Sequence, residues 1–202
     1  MIVVIDYGMG NLRSVSKALE ALGASVCVSS DPKDVAASSK LILPGVGAFG
    51  AAMRELSARR LIEPIHAALA SGKPYLGICL GLQLLLESSE EDPGTPGLGR
   101  LKGAVKRFAV DDGLKVPHMG WNQLIGSGRS CPLLAGIPER SFVYFVHSYY
   151  ADPADRSVVV SETEYGQRFV SMVWAGNLFA TQFHPEKSQA VGLRLLENFV
   201  KL

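Results

Sequence analysis

A cysteine at position 79 stands between two glycines, in Gly77-Ile78-Cys79-Leu80-Gly81. Tyr75-Leu76-Gly77-Ile78 predicts a strand and Leu80 to Leu86 a helix, which puts the cysteine at the corner between them. The spacing G-x-C-x-G is the thiol version of a nucleophile elbow. Such a corner pushes its side chain out of the sheet into a cleft, on a strained backbone. Only small residues fit two positions before and after it, because strand and helix nearly touch there. The unpaired N–H groups and dipole of a helix N-terminus favour the thiolate. The chemistry to expect is attack by sulfur on an electrophilic carbon.

A thiol nucleophile needs a base, and the base needs an orienting partner. The histidines are His66, His118, His147 and His184. His184 lies in Gln182-Phe183-His184-Pro185-Glu186, after an apolar strand. In extended backbone, residues i and i+2 share a side, which brings Glu186 toward the ring while Pro185 fixes the backbone between them. His184 would then take the thiol proton and Glu186 would hold its tautomer. Alone, His-Pro-Glu reads equally well as a turn at a strand end; beside an elbow cysteine the catalytic reading prevails. His66 follows Pro64 in a helical pattern and reads as a helix-face residue. His118 and His147, among aromatic residues, line a cleft or fill the core. Cys27 reads as a core residue of a strand, and Cys131, before Pro132, as a loop residue without chemistry.

Acyl transfer also needs donors for a developing oxyanion. The backbone N–H of Leu80 is one. A second is expected from another loop at the same sheet edge, and Pro44-Gly45-Val46-Gly47-Ala48-Phe49 fits. Its glycines allow a peptide N–H to turn toward the site; a plain strand-to-helix turn is the other reading. Asp6-Tyr7-Gly8-Met9-Gly10-Asn11 follows the first strand as a dinucleotide fingerprint should, but Arg13 occupies the place of the third glycine. No nicotinamide cofactor is expected, nor any other cofactor.

The elements that must position these residues alternate. Ile2-Val3-Val4-Ile5, Ser25 to Val28 and Leu41-Ile42-Leu43 read as buried strands, the third ended by Pro44-Gly45. Between them, Leu12, Val15, Leu19 and Leu22 share a helix face that stops at Gly23, and Asp31-Pro32 starts a short helix. A helix through Ile65, Leu69 and Ala70 leads to the elbow strand. Residues 88–99 read as a surface loop. Strand-like stretches follow at Ala104 to Val110, Phe142 to Tyr150, Ser157 to Ser161, Arg168 to Trp174 and Leu178 to Phe183, the last two joined by Ala175-Gly176-Asn177. A helix from Val191 to Leu202 closes the chain. The fold class expected is α/β: a mostly parallel, mixed open sheet with helices on both faces and antiparallel additions. Residues 1–202 are expected to form a single domain.

Composition narrows the class. Net charge is +1, from 20 basic and 19 acidic residues without a basic block, so nucleic acid is not an expected partner. Three widely spaced cysteines argue against a disulfide framework, and without C-x-x-C spacing they argue against zinc. Met1 to Asp6 lacks a basic leader, and no apolar run reaches a membrane span of roughly 20 residues. A soluble cytoplasmic protein is expected, with no metal.

Three motifs in this order resemble the class I, triad-type glutamine amidotransferases: Pro-Gly-Val-Gly at 44–47, Gly-Ile-Cys-Leu-Gly-Leu-Gln at 77–83 and His-Pro-Glu at 184–186. The likeness covers nearly the whole chain and implies a flavodoxin-like fold. Asp-Tyr-Gly-Met-Gly-Asn-Leu (6–12), Pro-His-Met-Gly-Trp-Asn (117–122), Phe-Val-His-Ser-Tyr-Tyr (145–150) and Gln-Phe-His-Pro-Glu-Lys-Ser (182–188) resemble one branch, the glutaminase subunits of imidazole glycerol phosphate synthases. Most other branches carry Gly-Gly or Gly-Pro-Gly at the oxyanion loop. Leu82 stands where Met is usual, a mild swap.

The resemblance implies hydrolysis of L-glutamine to glutamate and ammonia in histidine biosynthesis. Ammonia would pass to a separate (β/α)8-barrel cyclase subunit, forming a heterodimer. It implies Cys79 as nucleophile, His184 as acid and base, and Glu186 as its orienter. Val46 would join Leu80 in the oxyanion hole. Gln83, Gly45, Gly47 and the backbone of His147, Ser148 and Tyr149 would bind glutamine. Asn11, Trp121, Asn122, Tyr144 and Lys187 would face the partner. Rival readings are a glutaminase subunit for pyridoxal phosphate or anthranilate synthesis, a non-catalytic regulatory module, and an ordinary cysteine hydrolase. The Pro-Gly-Val-Gly loop, the intact Cys79, His184 and Glu186, and Gln83 speak against them in turn.

Overall fold

In the computed structural model, residues 1–109 and 113–202 are described. The first half alternates as the apolar pattern requires. Strand β1 (Ile2–Ile5) leads to α1 (Leu12–Ala21), β2 (Val26–Ser29), α2 (Pro32–Ala37) and β3 (Lys40–Gly45). Asp31 caps α2, its side chain accepting from Lys33 N–H at 2.8 Å. β3 does not end at Leu43 as expected. It runs on through Pro44 and Gly45, which pair with Ile78 and Cys79 of the elbow strand. The pairing of β3 with β1 stops at Ile42, so the missing N–H of Pro44 falls where there is no ladder to break.

Helix α3 (Phe49–Ala58) was not singled out above. It buries Phe49, Ala52, Met53 and Leu56 at helical spacing. α4 (Ile62–Ala70) and the elbow strand β4 (Tyr75–Cys79) follow. The elbow helix α5 is a single turn, Leu80–Gln83, rather than a helix to Leu86. Its continuation is replaced by another set of donors. N–H groups of Gly97, Leu98, Gly99, Arg100 and Leu101 bond the carbonyls of residues 84–87, so those carbonyls are satisfied without further helix.

The second half adds β5 (Ser88–Ser89), β6 (Gly103–Arg107), β7 (His118–Gln123), β8 (Ile125–Gly126), β9 (Phe142–His147), β10 (Tyr149–Pro153), β11 (Val159–Tyr165), β12 (Gln167–Ala175) and β13 (Leu178–Thr181), then α6 (Gln189–Lys201). β5 lies within the expected surface loop, and β7 and β8 were not foreseen. Of the stretch expected from Ala104 to Val110, residue 110 lies outside the described residues. The stretch from Phe142 is two strands, broken at Ser148. The expected hairpin forms, but its turn is Gly176 and Asn177 alone, since Ala175 pairs with Leu178.

The main sheet has the order β2-β1-β3-β4-β13-β12-β11-β8. Its first five strands are parallel and the rest antiparallel. The central strands are buried on two faces, so successive residues enter different cores. Val3, Ile5, Leu41 and Leu43 pack with Val35, Leu56, Leu61 and Ile65 of the α2–α4 side. Ile2, Val4, Ile42, Leu76 and Ile78 pack with Val15, Leu19, Leu195, Leu196 and Phe199 of α1 and α6. Two small sheets, β10-β6-β5 and β7-β9, flank it. Cys27 is half-buried rather than core, because β2 is the sheet's edge.

Among the described residues no helix is long and apolar enough to cross a membrane.

Candidate active site

β3, β4 and β13 are parallel neighbours, so their C-terminal ends meet at one sheet edge. That edge brings together the loop after Gly45, the cysteine after Ile78 and the segment leading to His184. Cys79 has φ +55°, a conformation uncommon outside glycine. The elbow glycines are required by contact. A Cβ on Gly81 would strike the carbonyl oxygen of Leu43, and one on Gly77 would lie 2.6 Å from the Gly81 oxygen. The expectation of small flanking residues therefore holds at both positions, through backbone that cannot give way.

His184 Nδ1 lies 2.8 Å from Glu186 Oε1, both side chains almost fully buried. The route differs from the extended one foreseen. Pro185–Lys187 is a 3-10 turn, and this turn carries the carboxylate back to the ring. His184 Nε2 and Glu186 Oε2 have no hydrogen-bond partner among the described residues. Burial pulls the imidazolium downward, but the Cys79 sulfur and the Glu186 carboxylate outweigh it and raise the pKa to about 10. A charged imidazolium beside the sulfur is the state suited to protonating a leaving amine.

This shift makes stability depend on pH. A proton held at about 10 in the fold and 6.5 in an ordinary histidine contributes stability in full below the lower value. That contribution is lost as pH rises through the upper one. The urea midpoint of the chain should therefore fall between about pH 7 and 10, and fall less in His184→Gln. Equal slopes in both proteins would contradict the assignment.

The cleft in front of Cys79 has a volume of about 330 Å³ and is lined by Val46, Gly47, Leu80, Gln83, Glu91, Pro117, Val146, His147, Ser148 and Tyr149. It thus gathers most of the expected pocket. Gly45 lies just behind, buried, where a Cβ would collide with the Tyr7 hydroxyl. Val46 and Gly47 are exposed, and Gly47 has φ +101°, open to glycine. Gln83 Nε2 donates to the Tyr149 carbonyl at 2.9 Å and to Gln182 Oε1 at 3.2 Å. A larger hollow of about 480 Å³ lies beside Arg129, Glu139 and Trp174, away from the cysteine.

Several site residues were not foreseen. Gln182 Nε2 lies 3.6 Å from Cys79 Sγ. It precedes His184 by two residues, so the alternation applied to Glu186 was available for it. Glu91 accepts from Phe49 N–H at 2.7 Å, tying the residue 88–99 segment to the glycine loop. Tyr7 Oη is buried beside Gly45 without a hydrogen-bond partner among the described residues. Burial, then the charge at Cys79, pushes its pKa up.

Of the residues expected to face a partner, Trp121, Tyr144 and Lys187 form one group. Trp121 and Tyr144 rings meet edge-on at 6.0 Å, and Lys187 Nζ lies 5.8 Å from the Tyr144 ring centre. Asn11 immediately precedes α1. Asn122 is half-buried, its side chain bonded within the chain. His147 is buried on the cleft wall, while His118 sits in an aromatic cluster behind it. His66 is on helix α4 and half-buried. Cys27, Cys79 and Cys131 are free thiols. Among the described residues no group of three His, Cys, Asp or Glu side chains is placed to hold a metal.

Residues 3–202 match the family Glutamine amidotransferase class-I. The imidazole glycerol phosphate synthase subunit HisH of Syntrophotalea carbinolica is 54% identical, over 98% of this chain and 98% of its own length. That of Aquifex aeolicus is 56% identical, over 98% and 94%. Among solved structures, a glutamine amidotransferase crystal structure superposes with a TM-score of 0.77 at 20% identity, covering 100% of both chains. PurLQS from Thermotoga maritima gives 0.74 at 23%, covering 99% and 97%. These two likenesses carry the fold. The chain belongs to the class-I glutamine amidotransferases and, within them, to the imidazole glycerol phosphate synthase HisH subunits.

Proposed function

We propose that this chain is the glutaminase subunit of an imidazole glycerol phosphate synthase, hydrolysing L-glutamine to glutamate and ammonia for histidine biosynthesis. The observation that carries the reading is the His184–Glu186 pair at 2.8 Å beside a cysteine held at positive φ. Family membership supports the reaction, and this geometry supports the choice of residues. Residues 1–202 act as one domain.

Cys79 sulfur attacks the side-chain amide carbon of glutamine, and the carbonyl oxygen becomes an oxyanion. Leu80 N–H and a peptide N–H of the Gly45-Val46-Gly47 loop receive that charge. The C–N bond breaks as His184 gives its proton to the nitrogen, which leaves as ammonia. The glutamyl thioester remains. His184, now neutral, takes a proton from water, whose oxygen attacks the thioester carbon. Glutamate leaves and the thiolate returns. Glu186 holds the ring throughout. Gln83, Gly45, Gly47 and the backbone of His147, Ser148 and Tyr149 grip the amino-acid end of the substrate.

The partner is a separate cyclase subunit with a (β/α)8 barrel, docked on the face of Asn11, Trp121, Tyr144 and Lys187, while the Asn122 side chain is turned inward and bonded within the chain. Its chemistry consumes the ammonia. The two chains work in the cytoplasm, where the free thiols of this chain persist. L-glutamine supplied to the pair without the nucleotide that the cyclase consumes should yield glutamate and ammonia in equal amounts, and L-asparagine neither. Comparable turnover of asparagine would overturn the substrate assignment.

A further inference from the structure

Behind the cleft wall, two buried histidines join in one hydrogen-bonded chain whose every proton is fixed by backbone at its ends. At the outer end, Asn122 Oδ1 accepts from Gln123 N–H at 2.8 Å, and Asn122 Nδ2 donates to the Glu164 carbonyl at 2.9 Å. These two bonds set the orientation of the amide. The same Nδ2 lies 3.3 Å from His118 Nε2, so His118 Nε2 must accept. His118 then carries its proton on Nδ1, which lies 3.1 Å from His147 Nε2. His147 Nε2 therefore accepts too, and its proton sits on Nδ1, 2.8 Å from the Tyr149 carbonyl. That carbonyl also accepts from Gln83 Nε2 at 2.9 Å.

The surroundings hold this arrangement. His118 lies between the rings of Phe145 and Tyr165, at 4.9 and 4.1 Å, and His147 packs on Phe108 and Phe169 at 5.2 and 5.0 Å. Stacking fixes the ring planes, and burial holds both imidazoles neutral. The pKa falls to about 4 at His118, and at His147 to about 3. A neutral ring with one donor and one acceptor nitrogen is what the chain needs at each place.

We infer that Asn122 and His118 are positioning residues: through His147 they fix the Tyr149 carbonyl and hence Gln83 in the pocket wall. The chain starts on β7, whose outward side chains Met119 and Trp121 are exposed, and ends in the cleft. A shift of β7 therefore reaches the substrate wall through four hydrogen-bonded groups. The consequence for glutamine rests on the glutaminase reading; the directions of the protons do not.

The test has two arms. Imidazole ¹⁵N spectra of the wild-type chain near neutral pH should show both His118 and His147 as neutral Nδ1–H tautomers. With the cyclase barrel bound, His118→Phe removes the donor to His147 while keeping a ring in the stack. It should raise KM for glutamine about tenfold with kcat within about twofold. His118→Asn restores an N–H near the Nδ1 position and should recover most of the loss. A proton on Nε2 of either ring, a charged ring, or one KM shared by all three proteins would overturn the inference. If the wild-type complex hydrolyses no glutamine, the glutaminase reading fails, and the spectra still decide the chain.

Discussion

Replacing Cys79 by serine should lower glutamine hydrolysis by about 10⁴-fold while leaving the fold intact. The loss is chemical rather than steric. Serine keeps the shape of the corner, where φ is +55° and Gly77 and Gly81 leave no room for change. It replaces a nucleophile that ionises readily by one that does not. In the wild type, His184 is held charged by the Cys79 sulfur and Glu186, so attack and protonation of the leaving nitrogen are prepared together. A serine hydroxyl takes away the sulfur, so His184 loses the larger of the two supports for its proton. Retention of more than about a tenth of wild-type turnover would move the nucleophile elsewhere. Cys27, half-buried on the sheet edge, and Cys131, buried outside the cleft, offer no alternative geometry.

Adding the barrel cyclase and its nucleotide ligand should raise glutamine turnover by about 10²–10³-fold, the worth of one oxyanion donor. The residues that hold charge and grip the ring are buried, whereas Val46 and Gly47 are exposed. The proposed triad is thus braced by the core, and the proposed oxyanion loop lies exposed to what docks beside it. His184 N–H donates to the Tyr144 carbonyl at 3.0 Å. Tyr144 N–H donates to Ser188 Oγ, also at 3.0 Å. Docking on Tyr144 and Trp121, as proposed, would therefore act on a strand already bonded to the turn that holds His184 and Glu186. Turnover equal with and without the barrel and its ligand would remove the partner from the control of this site.

The elbow was legible because its requirements are local. Glycine is needed where the Leu43 and Gly81 carbonyls approach, and the sequence has glycine there. The central parallel strands were legible because both their faces are buried, giving unbroken apolar runs. What was missed depended on distant partners or inverted patterns. The elbow helix stops at Gln83 because donors from residues 97–101 arrive from outside it. β7 places His118 inward and Met119 and Trp121 outward, the reverse of the usual alternation, so hydrophobic patterning passed over it. The Glu186 contact was foreseen, but through an extended backbone; a 3-10 turn makes it. The place of Gln182 near the sulfur depends on a partner 103 residues away.

The most direct measurement is acid-quenched mass spectrometry of the subunit pair during turnover of L-glutamine, followed by peptide mapping. One glutamyl group per chain is expected, on the peptide that contains Cys79, present during turnover and gone when glutamine is exhausted. Glutamate release with no adduct on that peptide, or an adduct on Cys27 or Cys131, would contradict it.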